Sequence, residues 1–201
     1  FPGCNYPSFY PKTLRMLTNL FEKQNIGVVF DCCGKPIAEL GLYKKEVEIY
    51  DRLTKNLLKH GVDEIITVCP NCYYHLKGKI PINVITIYEK LTELDIGNKI
   101  TSDEIDIFLP CPDRKNKVWI DKMKDYLPKK INYIQNVQCC GLGGCAIVKE
   151  PVIAKSFSDD VKKYLQEKQS DNLYLYCATC AGNFNKHGIN NIHHILNEVL
   201  G

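Results

Sequence analysis

The sequence predicts an α/β fold in two similar lobes, each a small parallel sheet flanked by helices, with candidate metal sites at the carboxyl edges of the sheets. Three observations lead there. The cysteines repeat: Cys111, Cys139 and Cys140 lie 107 residues after Cys4, Cys32 and Cys33, and Cys177 and Cys180 lie 108 after Cys69 and Cys72. Such matched spacing marks an internal duplication. Short apolar runs alternate with amphipathic helical stretches, the pattern of parallel βα units. The length of 201 residues suits two lobes of about 100 residues each. The lobes are placed at 1–95 and 96–201, the boundary falling in the polar, weakly periodic stretch 90–103.

In the first lobe, residues 11–24 carry Leu14, Leu17, Leu20 and Phe21 as a helical stripe. Val28-Val29-Phe30 reads as a short strand running into Asp31-Cys32-Cys33-Gly34. Residues 44–60 form a second helix, with Val47, Tyr50, Leu53 and Leu57 on one face and Gly61 as its stop. A strand over 64–68 delivers Cys69-Pro70-Asn71-Cys72; a short helix and a strand over 82–87 close the lobe. The second lobe repeats this order. Strand 105–109 leads to Cys111, and the helix after it carries Trp119, Met123, Tyr126 and Leu127. Strand 131–137 leads to Cys139. A helix opens at Pro151 and shows Ile153, Phe157, Val161 and Tyr164. Strand 172–176 leads to Cys177, and a last strand near 191–195 precedes a terminal helix. The second copy has a strand ahead of its first cysteine. The first copy needs one too, and residues 1–3 leave no room for it, so a few residues are expected to be missing there.

Every cysteine group is thus expected just after a strand, at the sheet edge where open parallel sheets bind ligands. Adjacent strand residues point to opposite faces. Two neighbouring cysteines followed by a glycine free to turn can instead reach one polynuclear centre from different sides. Each lobe offers five thiols: Cys4, Cys32, Cys33, Cys69 and Cys72, then Cys111, Cys139, Cys140, Cys177 and Cys180. A single zinc needs four. All-thiolate sets of this size suit iron–sulfur clusters, and zinc stays open as the alternative.

The pattern resembles the CCG-domain proteins, a family that includes the disulfide-cleaving component of heterodisulfide reductase and the iron–sulfur components of glycerol-3-phosphate, glycolate and lactate oxidation. Phe1-Pro2-Gly3-Cys4, Asp31-Cys32-Cys33-Gly34-Lys35-Pro36, Cys69-Pro70-Asn71-Cys72 and Cys139-Cys140-Gly141-Leu142-Gly143-Gly144 carry the resemblance. The resemblance implies one noncubane [4Fe-4S] cluster per lobe, two in all, held by the five cysteines of each copy, with the clusters facing each other across the lobe junction. It implies an oxidoreductase that cleaves a disulfide, heterodisulfide or related sulfur bond. Pro110-Cys111-Pro112-Asp113 departs from the histidine that many relatives place beside that cysteine.

No Cys-x-x-Cys-x-x-Cys run of the ferredoxin type occurs, so electrons are expected from a partner with conventional clusters or a flavin. The competing expectations are an electron-transfer subunit of a flavin-dependent dehydrogenase and a zinc-bound scaffold. Cys145 is a candidate free thiol. His75 is weighed as a donor to the site against an ordinary surface histidine, and the latter is preferred. His60 and His187 each precede a glycine and read as helix-end residues; His193-His194 reads as strand.

Composition excludes several classes. At 45% hydrophobic and 24% charged residues the chain is of ordinary globular type. The net charge of +3 counts cysteines as neutral thiols, and no basic cluster supports nucleic-acid binding. No apolar run is long enough to span a membrane. Walker and Gly-x-Gly-x-x-Gly motifs are absent. Vicinal pairs and an odd count of 11 cysteines argue against a disulfide framework. With no signal peptide ahead of Cys4, a reducing, cytoplasmic setting is expected, with peripheral membrane contact only through a partner.

Overall fold

Phe1–Asp95 and Ile96–Gly201 form two separately compact units in the computed structural model, which describes residues 1–201. The first unit runs α1 (Asn5–Phe9), α2 (Pro11–Glu22), α3 (Lys35–Glu39), α4 (Tyr43–Lys59), β1 (Glu64–Thr67), α5 (Pro70–Leu76), β2 (Asn83–Thr86) and α6 (Ile87–Glu93). The second runs β3 (Glu104–Ile107), α7 (Val118–Met123), a 3-10 turn (Lys124–Tyr126), β4 (Lys130–Tyr133), α8 (Ala146–Lys149), α9 (Pro151–Glu167), β5 (Leu173–Leu175), α10 (Ala178–Lys186), β6 (Ile192–His194) and α11 (Ile195–Leu200).

Proline fixes the start of several helices, because its missing N–H falls where a helix has no acceptor to offer. Pro11 opens α2, Pro70 opens α5 and Pro151 opens α9. The apolar stripe of α2 buries Leu14, Leu17 and Phe21, and that of α4 buries Leu53 and Leu57. His60 and His187 sit at the C-caps of α4 and α10. A capping box starts α6: Glu89 N–H donates to Thr86 Oγ1 at 3.2 Å, and Thr86 N–H donates to the Glu89 carboxylate at 2.8 Å.

Both sheets are parallel. β1 pairs with β2 in the register Ile65 with Val84 and Thr67 with Thr86. The second unit orders its strands β4-β3-β5-β6. Its core is aromatic. Phe108 meets Phe184 edge-on at 4.8 Å, and Trp119 stacks on Tyr176 at 6.0 Å, with all four rings fully buried.

Two expectations need correction. Residues 28–30 are not a strand; Val29 and Phe30 are 37% and 63% exposed. They lack a neighbour to pair with, since the first unit holds only β1 and β2. Strict placement of every cysteine group after a strand therefore fails at Cys32-Cys33, which follows an unpaired segment.

Candidate metal centre

Each unit gathers its five cysteines through three local devices. The first cysteine sits where the chain enters a turn. Gly3, at φ +69°, brings its backbone so close that an added Cβ would lie 2.9 Å from Cys72 Sγ. Cys4 follows as the N-cap of α1. In the second unit the loop after Cys111 is pinned by the buried Asp113. Its carboxylate accepts from Tyr176 Oη at 2.5 Å and from the Trp119 N–H at 3.2 Å.

The Cys-Cys-Gly turns are the second device. Gly34 (φ +87°) and Gly141 (φ +89°) take a left-handed conformation. Their N–H groups donate to Cys32 Sγ at 3.4 Å and Cys139 Sγ at 3.3 Å. Asp31 accepts from the Cys32 N–H at 2.7 Å and pairs with Arg52 of α4 at 2.9 Å, which ties the first turn to that helix. The third device is the Cys-x-x-Cys at a helix start: Cys69 caps α5 and Cys177 caps α10, so Cys72 and Cys180 fall within the first turn.

The sulfurs then meet in the same order twice. In the first unit thiol hydrogen bonds link Cys4 to Cys32, Cys32 to Cys33, Cys33 to Cys72 and Cys72 to Cys69. In the second they link Cys111 to Cys139, Cys139 to Cys140, Cys140 to Cys180 and Cys180 to Cys177. All 11 cysteines are free of disulfides. Cys4 and Cys111 are exposed, whereas Cys33, Cys72, Cys140 and Cys180 are buried. Each set thus has its first cysteine at the surface and buried cysteines beyond it. The hydrogen bonds are pairwise, and no three Cys, His, Asp or Glu side chains are grouped about a point for one metal ion. Cys145, half-exposed at the N-cap of α8, takes no part in these contacts.

Five sulfurs this close cannot all be anionic without a cation among them. Donation from the Cys33 and Cys4 thiols, helped by the Gly34 N–H, holds Cys32 down to about 2. Donation from Cys111 and Cys140 holds Cys139 at about 2 as well. The hydrogen bonds they donate push Cys33 up to about 12 and Cys140 up to about 11, and donation along each set together with burial raises Cys4, Cys72 and Cys180 well above the ordinary thiol range. Within each set one thiol is held low while its neighbours are raised, and a cationic centre would displace the protons those neighbours keep. The donor chemistry fits a thiolate-ligated centre.

The surroundings of the two sets differ. His75 is buried, not a surface residue, and its Nε2 lies 3.2 Å from Glu46 Oε1, in ion-pair range without hydrogen-bond alignment. Glu46 also takes a 2.5 Å contact from Lys79. The matching position 108 residues on is Asn183, whose Nδ2 donates to the Cys140 carbonyl at 2.5 Å. Arg114 is a residue that sequence reasoning missed. Half-buried, it donates to the carbonyls of Leu109 at 2.6 Å and Ile134 at 3.4 Å, and its guanidinium lies 5.1 Å from the Phe108 ring centre. Burial pulls its pKa down, opposed by attraction to Cys111, Cys180, Tyr176 and Cys139. The first unit has Pro7 at the corresponding place.

Two α/β units, each with a five-thiol set, define a cysteine-rich metal-binding protein. The profile of the CCG cysteine-rich domain matches residues 1–77 and 106–185. The chain belongs to that family, which points to iron–sulfur or metal binding with a role in electron transfer. No curated protein sequence matches it. Among solved structures it is similar to Picrophilus torridus aspartate racemase, at 14% identity and TM-score 0.48, over 98% of this chain and 88% of that one. It is also similar to glutamate racemase RacE1 from Bacillus anthracis, at 13% and 0.45, over 98% and 76%. No helix is long and apolar enough to cross a membrane.

Proposed function

We propose that each five-cysteine set ligates one [4Fe-4S] cluster of noncubane type, and that the protein reduces a disulfide, heterodisulfide or related sulfur bond with electrons from a partner. The observation that carries this reading is the sulfur order, first–second–third–fifth–fourth cysteine, met identically in both units. When bound, such clusters supply single electrons to a sulfur–sulfur bond. The chain's part is to hold ten thiolates, to aim the Gly34 and Gly141 amides at sulfur, and to leave Cys4 and Cys111 at the surface where electrons or substrate can arrive. The partner is a protein carrying conventional clusters or a flavin.

The alternative is an electron-transfer subunit without a substrate of its own. Iron and acid-labile sulfide on anaerobically prepared protein test the shared premise: about eight of each per chain are expected for two four-iron centres. Zinc without sulfide would leave a metal-stapled scaffold. Turnover of a small disulfide with reduced viologen then separates the enzyme from the electron carrier.

A further inference from the structure

The two units differ at one structurally matched pair of positions. In each, a helix backbone packs against the Cys-Cys-Gly turn: a Cβ on Gly34 would lie 3.7 Å from the Glu46 carbonyl oxygen, and one on Gly141 would lie 2.2 Å from that of Ala154. Glu46 and Ala154 are 108 positions apart, and so are His75 and Asn183. His75 follows Cys72 by three residues on α5, as Asn183 follows Cys180 on α10. That spacing puts each on the helix face that carries the cysteine, with Cβ atoms about 5–6 Å apart. From this place Asn183 reaches the turn itself and donates to the Cys140 carbonyl at 2.5 Å. His75 stands at the equivalent edge of the first sulfur set.

The first unit thus has a buried acid–base pair where the second has a methyl and an amide. His75 and Glu46 are both buried, and His75 Nε2 lies 3.2 Å from Glu46 Oε1. The exposed Lys79 contacts Glu46 at 2.5 Å and holds its carboxyl below the usual carboxylate range. Burial, then Lys79 and Lys35 of α3, favour the neutral imidazole, and Glu46 and Cys32 favour the imidazolium. No hydrogen bond joins the ring to a sulfur; Cys32 acts on it through space. β1 and β2 also pack on α5, and their one ionisable side chain, Glu64, is paired with Lys90 at 2.9 Å. Negative charge added to the first set raises the proton affinity of a neutral imidazole beside it. The Glu46 carboxylate is in place to balance the imidazolium that forms. Ala154 and Asn183 can do neither.

We propose that His75, with Glu46 as its counter-ion, couples one proton to the electron that enters the first sulfur set, so that the first centre is reduced with a proton and the second without one. The inference rests on the reading that each set holds a redox cluster. Cleaving a sulfur–sulfur bond consumes two electrons and two protons and gives two thiols. The electrons come from the partner with conventional clusters or a flavin. His75 supplies one of the protons, at the set where the electron arrives, and is reprotonated from solvent; the second proton comes from solvent directly. His75 is in this sense a positioning residue for charge, and no sulfur ligand is exchanged for it.

The test is a redox titration of the anaerobically prepared full chain, followed by electron paramagnetic resonance and repeated at several pH values upward from about 6.5, the ordinary histidine value. One of the two signals is expected to shift its reduction equilibrium tenfold per pH unit, about 59 mV, while the other stays flat. The signal that survives Cys180→Ala belongs to the first set and should be the sloping one. His75→Gln should flatten it with iron and sulfide unchanged, and Glu46→Gln should make it shallower. Placing the pair in the second unit, Ala154→Glu with Asn183→His, should give the other signal a slope. Two flat signals, two equal slopes, or a slope that persists in His75→Gln would overturn the proposal while leaving the clusters in place. Zinc without sulfide would overturn the cluster reading and this proposal together.

Discussion

Gly34 and Gly141 occupy the same place in the repeat, yet their surroundings rank them differently. A Cβ on Gly141 would sit 2.2 Å from the Ala154 carbonyl oxygen, whereas one on Gly34 would meet nothing nearer than Ile49 Cγ2 at 3.4 Å. Both substitutions cost about 1 kcal/mol for the left-handed backbone, but Gly141→Ala must also push α9 away. Iron content should fall to about half in Gly141→Ala and stay near the native value in Gly34→Ala; equal losses would contradict the packing argument. Cys145→Ser should leave iron and sulfide unchanged, because that thiol lies outside both chains of sulfur contacts. A pH dependence follows from His75. Burial, the largest influence, lowers its pKa below the ordinary histidine value, with Lys79 adding to the shift and Glu46 opposing it. The unfolded chain then binds the proton more readily, so the contribution is present above about pH 6.5 and is lost as pH falls. Urea unfolding of the metal-free chain should weaken between pH 7.5 and pH 5.5, and His75→Gln should flatten that part of the profile.

At the scale of elements, periodicity identified α2, α4 and α9, although α9 buries Ala154, Ser158, Val161 and Leu165 rather than the face led by Ile153, which is exposed. The shortest elements escaped it. α1, α3 and α8 have no more than five residues each, too few to show a period. α6 was legible in principle, since Thr86-x-x-Glu89 is a capping-box signature ahead of Leu91. Thr86→Ala should therefore cost about 1 kcal/mol, read as a lower urea midpoint at constant slope. A value near zero would mean that the sheet, not the cap, sets the start of α6. The strand expected at 28–30 shows the opposite error: its residues have the right character, but strand formation needs a partner that the first unit does not present. His75 was misjudged for a related reason. It is buried and lies 3.2 Å from Glu46, 29 positions away in sequence, and no local pattern announces such a neighbour.

For the molecule as a whole, the two sulfur sets share an order of contacts but not an electrostatic setting. The ten cysteines could be read from sequence because they occur twice in register. Arg114 could not, because it occurs once, in a Lys/Arg-rich stretch that resembles a solvated loop. Its guanidinium is attracted to Cys111, Cys180 and Cys139, and only the neighbouring loop carbonyls and the Phe108 ring hold it there. The first set has His75 instead, a group driven toward its neutral form. A fixed positive charge stabilises the more negative, reduced state of any centre beside it, so the second centre should have the higher reduction potential. Arg114→Met should lower that potential and leave the first unchanged, followed by electron paramagnetic resonance during a redox titration. Arg114→Lys keeps the charge but loses the forked donation to the two carbonyls. If Lys restores the potential, charge sets the difference between the sites; if Lys and Met lower it equally, the geometry of the Leu109–Ile134 loop sets it instead. Two identical potentials in the native protein would remove the asymmetry altogether.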